Sequence, residues 1–107
     1  MFGNLGEMAG ILKNLGSIQS NMKRVKEEMA ATTITGKDPT EKVAVAISGM
    51  LQAQAVHIDP SLLTPENAPQ LEAACNAAIQ SAMVQFKELA KQKFSEATGG
   101  LKLPGMN

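Results

Sequence analysis

The 107-residue sequence contains no tryptophan, no tyrosine, three phenylalanines, one cysteine and one histidine. A single cysteine cannot form an intrachain disulfide, so a small secreted domain stapled by disulfides is excluded. A histidine-rich zinc site cannot be assembled from one chain with one histidine. The scarcity of aromatic rings also argues against a stacking platform for single-stranded nucleic acid. The core must therefore be aliphatic.

The sequence also lacks net charge, because ten Lys and Arg balance ten Asp and Glu. The basic excess that usually marks a nucleic-acid-binding protein is absent. No apolar run approaches the ~18 residues of a membrane span. The glycine-interrupted start does not resemble a signal peptide, so we expect a cytoplasmic protein without a membrane partner. The length predicts a single domain over residues 1–107, with flexible ends at about 1–7 and 99–107.

Apolar residues spaced alternately by three and four positions predict a long first helix from about Leu5 to Ala31. They are Met8, Ile11, Leu15, Ile18, Met22, Val25 and Met29. Gly10 and Gly16 weaken the first half of this helix, so we expect it to fray before about Leu12. Three short strands cannot cover the whole apolar seam, which predicts that part of it contacts another subunit.

A change to a period of two predicts three strands in the middle of the sequence. Residues 32–35 are rich in β-branched side chains, residues 43–48 alternate between large and small, and residues 52–58 alternate again. A turn is expected at residues 36–39, and Gly49 is expected to break the second strand at a bend or bulge. Short connections favour an antiparallel meander.

A second long helix is predicted to begin after Asn67 as its N-cap, with Pro69 in the first turn, and to end near Ala97. The residues predicted to face inward are Leu71, Cys75, Ala78, Ile79, Ala82, Phe86, Leu89 and Phe94. The order of elements predicts an α+β fold with an α-β-β-β-α subunit.

No catalytic constellation is present in the sequence. It contains no G-x-G-x-x-G, no phosphate-binding loop and no G-x-S-x-G motif. Cys75 lies at helical spacing between Leu71 and Ile79, which favours a buried thiol over a nucleophile. His57 and Asp59 share one face of a strand, and we interpret them as a polar surface pair. We predict no enzyme activity, no metal site, no cofactor and no small-molecule substrate.

Two basic clusters remain, one in each predicted helix. They consist of Lys23, Arg24 and Lys26 in the first helix and Lys87, Lys91 and Lys93 in the second. They are either solvated helix surface, partly neutralised by neighbouring glutamates, or phosphate contacts that a dimer would duplicate despite the zero net charge. Their spacing does not decide between these interpretations.

Several short motifs occur in a characteristic order. They are Thr35-Gly36, the V-x-V-x-I-x-G run from Val43 to Gly49, I-D-P-S-L-L from Ile58 to Leu63, and T-G-G-L-x-L-P-G-M from Thr98 to Met106. Over nearly its whole length the sequence resembles the YbaB/EbfC family of bacterial nucleoid-associated DNA-binding proteins. The resemblance implies a tweezer-like homodimer that binds double-stranded DNA and organises the nucleoid or regulates gene expression. The alternative is a dimeric protein–protein interaction module without significant DNA binding.

Overall fold

The computed structural model describes residues 4–98, with side chains from residue 15 onward. In chain order the elements are helix α1 (Asn4–Ala31), strands β1 (Thr33–Lys37), β2 (Val43–Ser48) and β3 (Ala53–Ile58), and helix α2 (Ala68–Ala97). Two 3-10 turns, Pro60–Leu62 and Pro65–Asn67, connect β3 to α2. The predicted α+β fold is confirmed. The predicted flexible ends fall largely outside the described residues, although residues 4–7 belong to α1.

The three strands form an antiparallel meander with β2 in the centre, as predicted. In the first pair Thr33 lies opposite Ser48, and in the second Val43 lies opposite Ile58. The second pair contains a register shift between Ala46 and Ile47. The extra residue is Gln54 of β3, because Ala46 pairs with Ala55 whereas Ile47 pairs with Ala53, and Gly49 follows the end of β2.

Helix α2 packs against β1 and β2 because both partners present small groups at the contact. A Cβ built on Gly36 would lie 2.2 Å from the carbonyl oxygen of Ala78, so only glycine allows this approach of helix to strand. The main core cluster consists of Ile34, Val43, Val45, Leu62, Ala74, Ala78 and Ala82. Alternate residues of β1 and β2 supply its sheet side, as the period of two predicted.

Helix α1 packs antiparallel against the C-terminal part of α2. Asn21 Nδ2 donates a 3.3 Å hydrogen bond to the carbonyl oxygen of Ala97, and Glu28 contacts Lys93, so ascending positions in one helix meet descending positions in the other. Val25, Met29 and Ala97 form a second buried cluster here. Asn21 is level with Ala97, the last residue of α2, so the part of α1 that precedes Asn21 extends beyond the end of α2. The molecule is correspondingly elongated and measures 75 × 25 × 14 Å.

Two expectations about α2 need correction. Ile79, predicted to face inward, is 52% exposed, because it lies on a flank of α2 that neither the sheet nor α1 covers. Asn67 does occupy the N-cap, but its side chain makes no capping hydrogen bond. The 3-10 turn that ends at Asn67 gives it a non-extended backbone, and its Nδ2 donates to the carbonyl oxygen of Ser61 at 2.8 Å instead.

Candidate nucleic-acid interface

The basic cluster of α1 is divided between two sides of the helix. Val25 and Met29 define the side that packs on α2. At about 100° per residue, Lys23 and Lys26 lie to one side of this packing stripe, whereas Arg24 lies to the other side together with Glu28. The three cations therefore do not form one patch.

The basic cluster of α2 is divided in the same way. Phe86 and Ala97 pack towards α1 and define the contact stripe. Lys87 and Lys91, which are i,i+4 neighbours, project on one side of it, whereas Lys93 lies near the stripe and reaches towards Glu96 on the opposite side.

The antiparallel packing determines which sides of the two helices coincide. The contact between Lys93 and Glu28 shows that the Arg24 side of α1 adjoins the Glu96 side of α2. The other sides must then adjoin each other, so that four lysines share one surface of the helix pair. This surface, the lysine face, consists of Lys23, Lys26, Lys87 and Lys91, and all four residues are exposed.

The opposite surface is internally neutralised. Glu28 accepts a 2.9 Å hydrogen bond from Lys93 Nζ and lies 3.7 Å from Arg24 Nε, while Lys93 also lies 3.6 Å from Glu96. The hydrogen bond and charge of Lys93 lower the pKa of the Glu28 carboxyl, and Glu28 in turn raises the pKa of Lys93. The Lys93 side chain is only 25% exposed. These groups already satisfy one another.

The lysine face has no such pairing. Among the side chains described, residues 15–98, the ion pairs within 4.0 Å involve none of its four lysines. Glu27 and Glu88 are nearby in sequence and exposed, and they lower the local positive potential without forming ion pairs there. Four cations thus remain available to an external anion.

The sequence analysis also considered Asp59, His57 and Cys75, and the structure shows the surroundings of each. Asp59 accepts a 2.8 Å hydrogen bond from the Ser61 amide, and the hydrogen bonds from Ser61 lower the pKa of its carboxyl. His57 is exposed on β3, and Cys75 is partly buried against the main core. Among the side chains of residues 15–98, no group of three or more His, Cys, Asp or Glu is placed to hold a metal ion. No helix within residues 4–98 is long and apolar enough to cross a membrane.

Asp38, which the sequence analysis placed in the turn at residues 36–39 without assigning it any contacts, is a buried polar residue. Its carboxylate accepts hydrogen bonds from the amide and hydroxyl of Thr40 and, at 2.8 Å, from the amide of Val43. These bonds, led by the one from the Thr40 side chain, lower the pKa of the carboxyl. Asp-Pro in a turn was the available signal. The residue shapes the β1–β2 hairpin and is not part of the lysine face.

Comparison with known proteins places this fold in a class of DNA-binding proteins. The family model of the YbaB/EbfC DNA-binding family matches residues 4–101, and the chain belongs to this family. A nucleoid-associated protein of Rhodospirillum rubrum is 36% identical over 94% of this chain and 92% of its own length. A nucleoid-associated protein of Prochlorococcus marinus is 36% identical over 97% of this chain and 93% of its own length.

A solved structure supports the fold independently. The crystal structure of an uncharacterized protein from Helicobacter pylori superposes with a TM-score of 0.58 at 19% identity, covering 92% of this chain and 97% of that one. The family assignment confirms the resemblance inferred from the sequence motifs. It also confirms the prediction of a non-enzyme, because the family is one of nucleoid-associated DNA-binding proteins.

Proposed function

We propose that this protein is a homodimeric nucleoid-associated protein that binds double-stranded DNA mainly through phosphate contacts. It would act at the nucleoid, in the bacterial cytoplasm, in nucleoid organisation or in the regulation of gene expression. The family assignment supports DNA as the ligand. The observation that carries the phosphate-contact mechanism is the lysine face, four exposed lysines on one surface of a helix pair without ion-pair partners among the described side chains.

The six predicted contact residues take unequal parts in this proposal. Lys23, Lys26, Lys87 and Lys91 make the first phosphate contacts, because no local carboxylate has to be displaced. Arg24 and Lys93 contribute less, since each must give up an ion pair with Glu28 before it can meet a phosphate. A protein without net charge gains little long-range attraction to DNA, so binding depends on this local clustering.

Dimerisation allows the salt dependence of DNA binding to be predicted as a number. A dimer carries the lysine face twice, and if about five or six of its cations contact phosphates, counterion release gives a slope near −5 for log K against log salt concentration. Phosphate contacts position a protein on the duplex without reading its sequence, so affinity should vary little between duplexes of different sequence.

The decisive experiment measures duplex DNA binding across a range of salt concentrations for two charge-matched variants. Lys23→Gln/Lys26→Gln should weaken binding to all duplexes about equally and flatten the salt slope, because two phosphate contacts per subunit are lost. Lys37→Gln/Lys42→Gln removes the same charge from the β1–β2 hairpin and should leave the slope nearly unchanged.

Equal effects of the two variants would mean that only overall charge matters, and the lysine face would be rejected as the site. Absence of DNA binding by the unmodified protein at low salt would overturn the proposal altogether. It would then favour the alternative of a dimeric protein–protein interaction module.

A further inference from the structure

The apolar stripe with which α1 packs on α2 continues beyond the end of α2. Val25 and Met29, which form the buried part of this stripe, are 4% and 8% exposed. At about 100° per residue, Ile18 and Leu15 fall within about 40° of Met29 around the helix, so they belong to the same stripe. Ile18 is nevertheless partly exposed, and Leu15 is 51% exposed. The stripe is therefore longer than the helix that covers it.

The composition of the projecting part of α1 is that of a helix that packs against a partner. Residues 14–22 include no charged side chain, whereas residues 23–28, KRVKEE, include five. In the sequence the apolar spacing of the stripe continues through Ile11 and Met8. A helix that contains Gly16 and several Ser and Asn residues gains most of its stability from packing rather than from helix propensity. We therefore expect an apolar segment to cover this part of α1.

Helix α2 ends beside the point at which the stripe loses its cover. Ala97 is 1% exposed and Thr98 is 7% exposed, and the carbonyl oxygen of Ala97 accepts the hydrogen bond from Asn21. The end of α2 is thus held against α1. Because the two helices are antiparallel, a chain that continues past Thr98 in the direction of α2 runs along the projecting part of α1.

The sequence that follows Thr98 has the pattern of an apolar extended segment. Residues 99–107, GGLKLPGMN, lie outside the described residues. The glycine pair is typical of a helix end, and Pro104 disfavours a helical backbone at Leu103. In an extended backbone, Leu101 and Leu103 project to one side and Lys102 to the other. One side of this segment is therefore apolar and the other is charged.

The reach of this segment matches the spacing of the stripe. An extended chain carries Leu101 about 10 Å and Leu103 about 17 Å beyond Thr98. Along α1, Leu15 and Ile11 lie about 9 Å and 15 Å beyond Asn21, which is level with the end of α2. Successive leucines of the segment thus become level with successive apolar positions of the helix.

We propose that residues 101–106 dock in extended form on the uncovered apolar stripe of α1 in the same chain, with Leu101 against Leu15 and Ile18. The sequence alone predicts another subunit as the cover of this part of α1 and a flexible end at residues 99–107. The position of Thr98 favours the chain's own continuation as the cover. The docked segment lengthens the buried contact of α1, and it requires neither DNA binding nor dimerisation.

The first test is disulfide formation between two introduced cysteines, in a Cys75→Ala background that removes the natural thiol. On mild oxidation in air, Leu15→Cys/Leu101→Cys should form an intrachain disulfide, seen in denaturing electrophoresis as a compact band of single-chain mass. The matched control is Ser20→Cys/Leu101→Cys. Ser20 is exposed, lies about 140° around α1 from Leu15 and is nearer to Thr98 along the helix, so random collisions would oxidise the control at least as readily.

The alternatives give different products. Equal oxidation of the two pairs, or no disulfide in either, would overturn the docking of this segment on the stripe. A disulfide that joins two chains at Leu15→Cys/Leu101→Cys would show that the segment covers α1 of another copy, and it would overturn the proposal for the same chain.

A second test uses amide hydrogen exchange and introduces no cross-link. Leu101→Ser/Leu103→Ser should speed exchange of the amides of residues 15–20 about tenfold, because two leucines lose their buried contact. The amides of Val25 and Met29, which α2 covers, should not change. Lys102→Ser, which alters the opposite side of the segment, is the control and should leave all of these amides unchanged. Unaltered exchange at residues 15–20 in the double leucine variant would overturn the proposal.

Discussion

The body of sheet and α2 and the α1–α2 helix pair are held together by different means. In the body, Val43 and Ala78 are completely buried and the backbones of β1 and α2 approach at a glycine. In the helix pair, the buried contact consists of Val25, Met29 and Ala97, supplemented by ion pairs around Glu28. The body leaves no space for an added Cβ at Gly36, whereas the helix pair keeps four lysines exposed on one surface.

The substitution Gly36→Val should have the largest effect, because it breaks the closest contact of the body. A Cβ at this position would lie 2.2 Å from the Ala78 carbonyl oxygen and 2.5 Å from the Ala82 amide nitrogen. Both are backbone atoms and cannot rotate away, so α2 must move off the sheet. We expect a loss of about 3 kcal/mol or more in the free energy of unfolding, measured by urea denaturation. A near-neutral result would show that α2 does not seat on β1 as described.

The second prediction concerns acid stability and also distinguishes body from helix pair. The pKa of Asp38 lies below its ordinary value of 3.8 in the folded state because of the bonds from Thr40 and Val43. Its stabilising contribution is therefore complete above the unfolded-state pKa and is lost as the pH falls through the lower folded pKa. Asp38→Asn lacks this proton uptake and should show a smaller loss of stability between about pH 5 and pH 2.

The matched control for Asp38 is Glu28→Gln, which removes a carboxylate whose pKa is also lowered but which lies in the helix pair. It should reduce the same acid dependence, and hydrogen exchange should place the change in α1 and the end of α2. The β1–β2 hairpin should respond to Asp38→Asn alone. If both variants altered the same amides, the two regions would unfold as one cooperative unit and the distinction between them would fail.

Most of the body could be predicted from the sequence because its signals are local. The alternation in residues 43–48 reports one buried strand face, and the end of α2 at Ala97 agrees with the Gly-Gly pair that follows. The prediction that Ile79 faces inward was wrong, because helical periodicity identifies an apolar stripe but not which part of that stripe a neighbouring element covers. Asn67 occupies the N-cap as predicted, but the preceding 3-10 turn directs its side chain to Ser61, so the capping hydrogen bond is not made.

The candidate site could be predicted only as a list of cations. The sequence identified six basic residues and the neighbouring glutamates. It did not indicate that Lys93 would meet Glu28, since these residues are 65 positions apart. That single tertiary contact neutralises one surface of the helix pair and leaves the other cationic. Pairing between distant helices depends on the crossing geometry, which periodicity does not specify.

The smallest effect is expected at Gly16, which lies in the part of α1 that extends beyond the end of α2. A Cβ built on Gly16 meets no atom within 4 Å. Because alanine restricts the unfolded chain and favours helix, Gly16→Ala should stabilise α1 by about 0.5–1 kcal/mol. Circular dichroism should show a modest gain in helicity, and the stability of the β1–β2 hairpin amides should not change. Destabilisation by Gly16→Ala would mean that another surface approaches α1 closely at this position, and the projecting part of α1 would then be as tightly constrained as the body.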